Sequence, residues 1–168
     1  SGIRSEGEFL VIDINKISST EYKSQANGML RIDTRKKSLV GSFNGILAEI
    51  LPLNLEVEAD TRKLSFTGQG KKPVVDIAPI VELFKLGPAL SPWIVDYLSA
   101  SQVSLSKISG TIPYNKPESI LQTLHAVAIV KDTEYTFAQG LEPIKAPETM
   151  VEFIQGVLKI KPQQPTFY

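Results

Sequence analysis

Hydrophobic and polar residues alternate along most of this chain. From Phe9 to about Gly70 the period is two, which is typical of β-strands with one apolar side. Residues 29–43 resemble residues 55–68: in each, an alternating run leads into Asp-Thr-Arg-Lys and a second alternating run follows. The pattern predicts two β-hairpins in succession, and Asn27-Gly28, just before the first, predicts a further turn.

The period changes between residues 73 and 100. Apolar residues recur there at three-four spacing, over residues 77–84 and again over 93–98, with Gly87-Pro88 between them. Two short helices are predicted, the second with Ser91 as N-cap and Pro92 at its first helical position. Trp93 has two interpretations, an anchor at lipid headgroups or, more commonly on a short amphipathic helix, a core residue.

The two-residue period returns after Ser101 and continues towards the end of the chain. Because Leu105 and Ile108 have opposite parity, a bulge near Ser106-Lys107 is needed to keep both on one face. The prolines after this point, Pro113, Pro117, Pro143 and Pro147, predict extended connections between strands.

The predicted organisation is one domain, or a fragment of a larger protein, in three stretches. Residues 1–72 form strand hairpins, residues 73–100 a helical pair, and residues 101–168 a second set of strands. The fold class is mainly β with a small α part: a long curved antiparallel meander sheet that forms an open groove, with a short two-helix insertion.

Composition excludes most catalytic chemistry. Eighteen basic residues balance eighteen acidic ones, so no net charge favours nucleic acid as a partner, and there is no cysteine. The single histidine, His125, lies in an apolar alternating run, where a strand histidine is a commoner role than membership of a catalytic triad. Gly41, Gly45, Gly68 and Gly70 match no phosphate-binding motif and are expected at bulges and bends. We therefore expect no enzyme activity, no metal site and no cofactor.

The C-terminal half carries a specific resemblance. Its features, in order, are a Pro92-Trp93-Ile94 helix start, Ser109-Gly110 within a strand, and runs at residues 126–130, 134–137, 141–144, 151–160 and 165–168. In this order and spacing they resemble the domain of AsmA-like bacterial envelope proteins, closest to the YhdP-type members and related to TamB. Members often have a glycine after the Trp helix, where this chain has Ser101-Gln102.

The resemblance implies an apolar β-groove in the periplasm, attached to the inner membrane through segments outside this sequence. It also implies a non-catalytic role in phospholipid transport between inner and outer membranes and in envelope integrity. The implied partners are phospholipid or another lipid and possible further envelope proteins.

One parity of the alternating runs is predicted to line the groove and bind lipid. These residues are Leu30, Ile32, Phe43, Leu47, Leu55, Val57, Leu64 and Phe66 in the first set of strands, and Val127, Ile129, Tyr135, Phe137, Phe153 and Leu158 in the second. The competing interpretation is that the same residues form a closed core under the helical pair.

Two other classes of function stay open. An enzyme requires a polar cleft with a perturbed acid or base. A protein-protein interaction or outer-membrane assembly module would instead use exposed sheet edges to recruit a strand of a partner.

Overall fold

The computed structural model describes residues 2–76, 79, 98–99, 102–136 and 138–165. It is mainly β, with 68% of the chain in strands. The strands are β1 (Gly2–Glu6), β2 (Phe9–Ser19), β3 (Ser24–Asp33), β4 (Ser38–Leu47), β5 (Leu51–Ala59), β6 (Lys63–Gly70), β7 (Leu98–Ser99), β8 (Gln102–Pro113), β9 (His125–Tyr135), β10 (Ile144–Ile154) and β11 (Val157–Gln163). A 3-10 turn (Pro117–Ser119) and the short helix α1 (Ile120–Thr123) join β8 to β9.

All the described strands belong to one open antiparallel sheet. Its order is β1-β2-β3-β4-β5-β6-β8-β9-β10-β11, and β7 pairs with β9 off this path. The predicted mainly β meander is therefore confirmed. Direct pairing of β6 with β8 joins the two predicted sets of strands without a break. The predicted helical pair, with Trp93, lies almost wholly outside the described residues, but Leu98, predicted to be in the second helix, lies in strand β7 instead.

The two Asp-Thr-Arg-Lys segments form the hairpin turns that the sequence predicts. Asp33 Oδ1 accepts hydrogen bonds from the backbone N–H groups of Arg35 and Lys36, at 3.1 and 2.9 Å. Asp60 repeats the arrangement, and its backbone hydrogen bonds hold the pKa of its carboxyl below the ordinary value. In both turns the short aspartate side chain accepts hydrogen bonds from the backbone N–H groups two and three residues later. This explains why the same Asp-Thr-Arg-Lys segment closes both turns.

The predicted bulge in β8 is also confirmed. The register shifts between Leu105 and Lys107, so Leu105 faces Ala128 and Ile108 faces Ala126. Because Ala126 and Ala128 lie on one side of β9, the extra residue brings Leu105 and Ile108 to the same face. A second bulge, between Ile14 and Ile17 of β2, is not announced by the sequence pattern.

The prediction of a turn at Asn27-Gly28 is wrong, because both residues lie inside β3. Gly28 serves packing instead: a Cβ atom at this position would fall against the carbonyl oxygen of Ser42 and within 2.6 Å of the Phe43 ring. The glycine leaves room for the ring of the neighbouring strand, an arrangement that sheets use where a side chain lies flat on the backbone.

Two further expectations need correction in the second half of the sheet. Pro147 lies inside β10 and not in a connection, and residues 117–123, expected to be extended, form the 3-10 turn and α1.

The pairing of β9 with β10 is irregular at Pro147: Ala146 pairs with Thr133 and Glu148 with Lys131, and Pro147 between them forms no pair with β9. Asp132, in β9, has a positive φ of 50°, and both Lys131 and Asp132 are exposed. After these two exposed residues, buried and exposed side chains alternate again: Thr133 and Tyr135 are 1% and 2% exposed. Together with Val130, Ala146 and Thr149 they form the most buried cluster of the described sheet.

We expect Gly28→Ala to destabilise the fold by about 1–3 kcal/mol, because the added methyl group meets backbone and not a movable side chain. The adjacent exposed substitution Asn27→Ala should change stability by less than about 0.5 kcal/mol. Urea denaturation followed by circular dichroism measures both. Equal effects of the two substitutions would contradict the packing role of Gly28.

The turn between β4 and β5 stores backbone strain. Ala48 and Glu49 both have positive φ, 52° and 63°, and the Ile50 N–H donates to the Leu47 carbonyl at 3.1 Å. Glu49→Gly should therefore stabilise the protein by about 1 kcal/mol. Lys159→Gly, at an exposed position in the regular strand β11, should destabilise it by about 0.5–1 kcal/mol. Thermal unfolding tests this opposition in sign, and destabilisation by both glycines would refute the strain.

Candidate functional site: the apolar face of the sheet

One face of the sheet carries an unbroken cross-strand row of apolar residues. Directly paired residues of antiparallel strands point to the same face, so the register defines the row. It contains Ile14, Gly28, Phe43, Leu55, Gly68, Ile108, Ala126, Phe153 and Leu158, from β2 to β11. We call the side of the sheet that bears this row the apolar face, and the opposite side the polar face.

Parallel rows extend the apolar face along the strands. One contains Ile3, Ile12, Leu30, Gly41, Val57, Phe66 and Gly110. The next contains Leu10, Ile32, Leu39, Ala59, Leu64 and Ile112, and Leu47 pairs with Leu51 at the other end of β4. Ten of the predicted site residues therefore share this face: Leu30, Ile32, Phe43, Leu47, Leu55, Val57, Leu64, Phe66, Phe153 and Leu158.

The other predicted site residues do not join them. Val127 pairs with Glu152 and Ile129 with Met150, so both lie on the polar face. The corresponding apolar-face positions of β9 are small, Ala126 and Ala128. The error arose because β9 is apolar on both sides, and parity alone cannot then choose a face.

Tyr135 is placed differently from the prediction as well. It is 2% exposed, and this burial raises the pKa of its hydroxyl. A side chain enclosed to this degree packs the sheet and does not line an accessible surface. Phe137 lies outside the described residues.

The apolar row is half-buried along its length. Of its nine residues only Gly68 is buried, and the other eight have intermediate exposure. A closed core of the kind considered as the competing interpretation would bury such residues almost completely.

Glycines allow the large side chains of this face to lie down against the sheet. A Cβ at Gly41 would come within 2.6–2.8 Å of Leu30, Phe43 and Val57. A Cβ at Gly110 would come within 2.9 Å of the Phe66 ring. The glycines therefore mark close cross-strand packing, not the bulges expected from the sequence. They allow the large side chains to lie against the sheet, which makes the apolar face flatter.

The polar face holds a cluster of charged and titratable side chains in the second half of the sheet. His125 Nε2 lies 2.8 Å from Glu152 Oε2, and Lys161 Nζ lies 3.6 Å from Glu152 Oε1. The hydrogen bond with His125 lowers the pKa of Glu152, burial opposes this, and the charge of Lys161 adds to the lowering. The cluster links β9, β10 and β11 through the hydrogen bond between His125 and Glu152 and the ion pair between Glu152 and Lys161.

Metal sites and membrane-spanning helices are not found in the described part of the chain. It contains no group of three His, Cys, Asp or Glu residues arranged to hold a metal ion. None of its helices has the length and hydropathy that a membrane crossing requires. No protein-family model, curated protein or solved structure matches the chain.

Glu152 should make folding stability depend on pH. Its pKa is lowered in the folded protein from an ordinary value of 4.5. The carboxylate therefore contributes stability that is fully present above that value and is lost as the pH falls through the lowered pKa. We expect wild-type protein to exceed Glu152→Gln in stability at neutral pH and the difference to disappear in acid. Urea titrations of both proteins at several pH values measure this difference, and a difference that persists in acid would contradict the role of Glu152.

Proposed function

We propose that the apolar face binds the acyl chains of lipids, and that this chain is a non-catalytic segment of an AsmA-like envelope protein. In this proposal the segment works in the periplasm, attached to the inner membrane through other parts of its protein. It supports phospholipid transport between inner and outer membranes. The observation that carries the proposal is the unbroken apolar row from β2 to β11.

The length of the row supports a chain-shaped guest. Nine strands contribute to it, and eight strand spacings of about 4.8 Å give a track of roughly 38 Å. This exceeds the thickness of the hydrocarbon core of a bilayer, about 30 Å. An extended acyl chain can therefore lie along the row without reaching its end.

The exposure of the row supports reversible binding. Each methylene that moves from water onto an apolar surface contributes up to about 0.8 kcal/mol when fully buried. A guest on this open face stays partly in contact with solvent, which keeps the gain below its maximum. Since apolar residues follow one another at every strand, movement along the row exchanges similar contacts and needs little energy at each step.

The separation of apolar and polar residues onto opposite faces supports a position of the lipid headgroup at an edge of the sheet. One cross-strand row of the polar face carries Asp13, Ser42, Glu56, Thr67 and Ser109, with Met29 as its apolar member. A lipid on the apolar face therefore has its headgroup at an edge of the sheet or in solvent, because the sheet itself separates it from the polar face.

Strand addition at the sheet edges is the alternative function, and one edge favours it. Among the described residues β1 pairs only with β2, it is exposed throughout, and Ile3 is 73% exposed. The β11 edge is protected. Counting from the two-residue turn Gln155-Gly156, the backbone of Pro162 faces outward, and proline has no N–H to offer a further strand.

Leu30 and Met29 give a matched test of lipid binding. They are neighbours in β3, with Leu30 on the apolar face and Met29, 43% exposed, on the polar face. We expect a photo-crosslinking amino acid at Leu30 in the full-length protein to capture lipid in cells, and the same probe at Met29 to capture much less. Mass spectrometry of the adducts identifies the lipid.

A second pair, Leu55 and Glu56 in β5, repeats the comparison on another strand. Proteolysis of the purified variants verifies that each remains folded. Equal capture from both faces in folded variants would contradict the lipid-binding face. Capture of protein at β1 with no lipid at Leu30 or Leu55 would favour the alternative.

A further inference from the structure

The polar face carries a row of side-chain amides across four adjacent strands. Asn27 of β3 pairs with Asn44 of β4, Asn44 with Asn54 of β5, and Asn54 with Gln69 of β6. At about 4.8 Å per strand the row is roughly 14 Å long. It lies directly behind the central apolar row, so the two surfaces are separated by the thickness of the sheet.

These four amides retain their capacity to form hydrogen bonds. No hydrogen bond joins any of the four side chains to another group in the described part of the chain. Asn27, Asn44 and Gln69 are exposed, while Asn54 is half-buried. Its Oδ1 atom is buried and has no partner among the described residues. An unsatisfied buried carbonyl is costly, and rotation of the Asn54 amide towards a bound molecule would relieve that cost.

A shallow cavity of about 520 Å³ opens over three of the amides. Beside Asn44, Asn54 and Gln69 its lining includes hydroxyl and carboxylate groups of the next row, from Ser42, Glu56 and Thr67. The Ser42 hydroxyl already donates to Glu56 Oε1 at 2.8 Å, which fixes the carboxylate. Lys107 reaches the same cavity from the bulge of β8. The volume lies in the range of small-molecule sites.

We propose that this amide row is a binding site for a neutral glycan with β-1,4-linked pyranose units. Each amide offers one acceptor and two donors, which match the neighbouring hydroxyl groups of a sugar. An extended β-1,4-linked chain advances by about one strand spacing per ring, so successive rings meet successive amides. The row accommodates a tri- or tetrasaccharide that lies across the strands.

The composition of the site argues against other ligand classes. One carboxylate, Glu56, and one ammonium group, Lys107, leave no net charge to select a polyanion or a polycation. A peptide strand recognises backbone groups at a sheet edge, and this site lies within the sheet. The proposal does not depend on lipid binding, because the four amides that carry it lie on the opposite face of the sheet.

The test is an NMR titration of the isotope-labelled chain with cellohexaose as the probe. Backbone amide signals of β4, β5 and β6 should shift, and maltohexaose, with α-1,4 linkages and a curved chain, should cause much smaller shifts. The double variant Asn44→Ala/Gln69→Ala should weaken cellohexaose binding by about tenfold or more, since it removes two exposed amides. Glu58→Ala and Lys159→Ala, on the same face but outside the row, should leave it unchanged.

Several results would overturn the proposal. They are the absence of shifts up to the solubility limit of cellohexaose, equal affinity of the double variant, and equal binding of maltohexaose. Tighter binding of heparin than of cellohexaose would reassign the site to a polyanion. Shifts confined to apolar-face positions such as Leu30 would place the sugar on the other side of the sheet.

Discussion

The antiparallel register is the constraint on which the rest of this structure depends. Because side chains alternate across a strand, a shift of one residue in any pair would move that strand's apolar set to the other face. The register instead keeps Phe43, Leu55 and Phe153 in one row over strands that are more than a hundred residues apart. The bulge between Leu105 and Lys107 serves the same end, since it corrects the parity of β8.

Close packing on the apolar face explains three glycines of the sheet. Gly28, Gly41 and Gly110 each leave space that the rings of Phe43 or Phe66 fill. Aromatic rings over glycines stabilise the sheet along the apolar row, where no described element packs on the apolar face as a second layer. Because the rings lie flat against the glycines, the apolar face is also flatter. Close packing of the sheet and the proposed lipid binding therefore favour the same residues.

The sequence predicted the architecture where apolar and polar residues alternate regularly. The two Asp-Thr-Arg-Lys turns and the bulge near Ser106 followed from local hydrogen bonding and parity, and both are present. The turn prediction at Asn27-Gly28 was wrong because this dipeptide is typical of turns. Here Gly28 leaves space for the Phe43 ring on the next strand, and a single sequence does not show which residues are cross-strand neighbours. The expectation for Pro147 failed for a related reason: β10 accommodates this proline at a position that forms no pair with β9, and a single sequence does not show which strand positions are unpaired.

The candidate site was predictable in the first half and less so in the second. Leu30, Ile32, Phe43 and their companions alternate with polar residues, and their face follows directly. Val127 and Ile129 lie in a run that is apolar at every position, and only pairing with Glu152 and Met150 reveals their side. The amide row escaped sequence reasoning altogether, because Asn27, Asn44, Asn54 and Gln69 are brought together by register and share no motif.

Every strand from β1 to β6 pairs with its neighbours in the chain, and so do β8 to β11. Such a sheet can be lengthened by duplication of one hairpin, with no rearrangement of those already present. The similarity of residues 29–43 to residues 55–68 is the trace that this mode of growth would leave. The width of the sheet can then change in evolution by whole hairpins, while each added strand presents the same alternation of apolar and polar side chains.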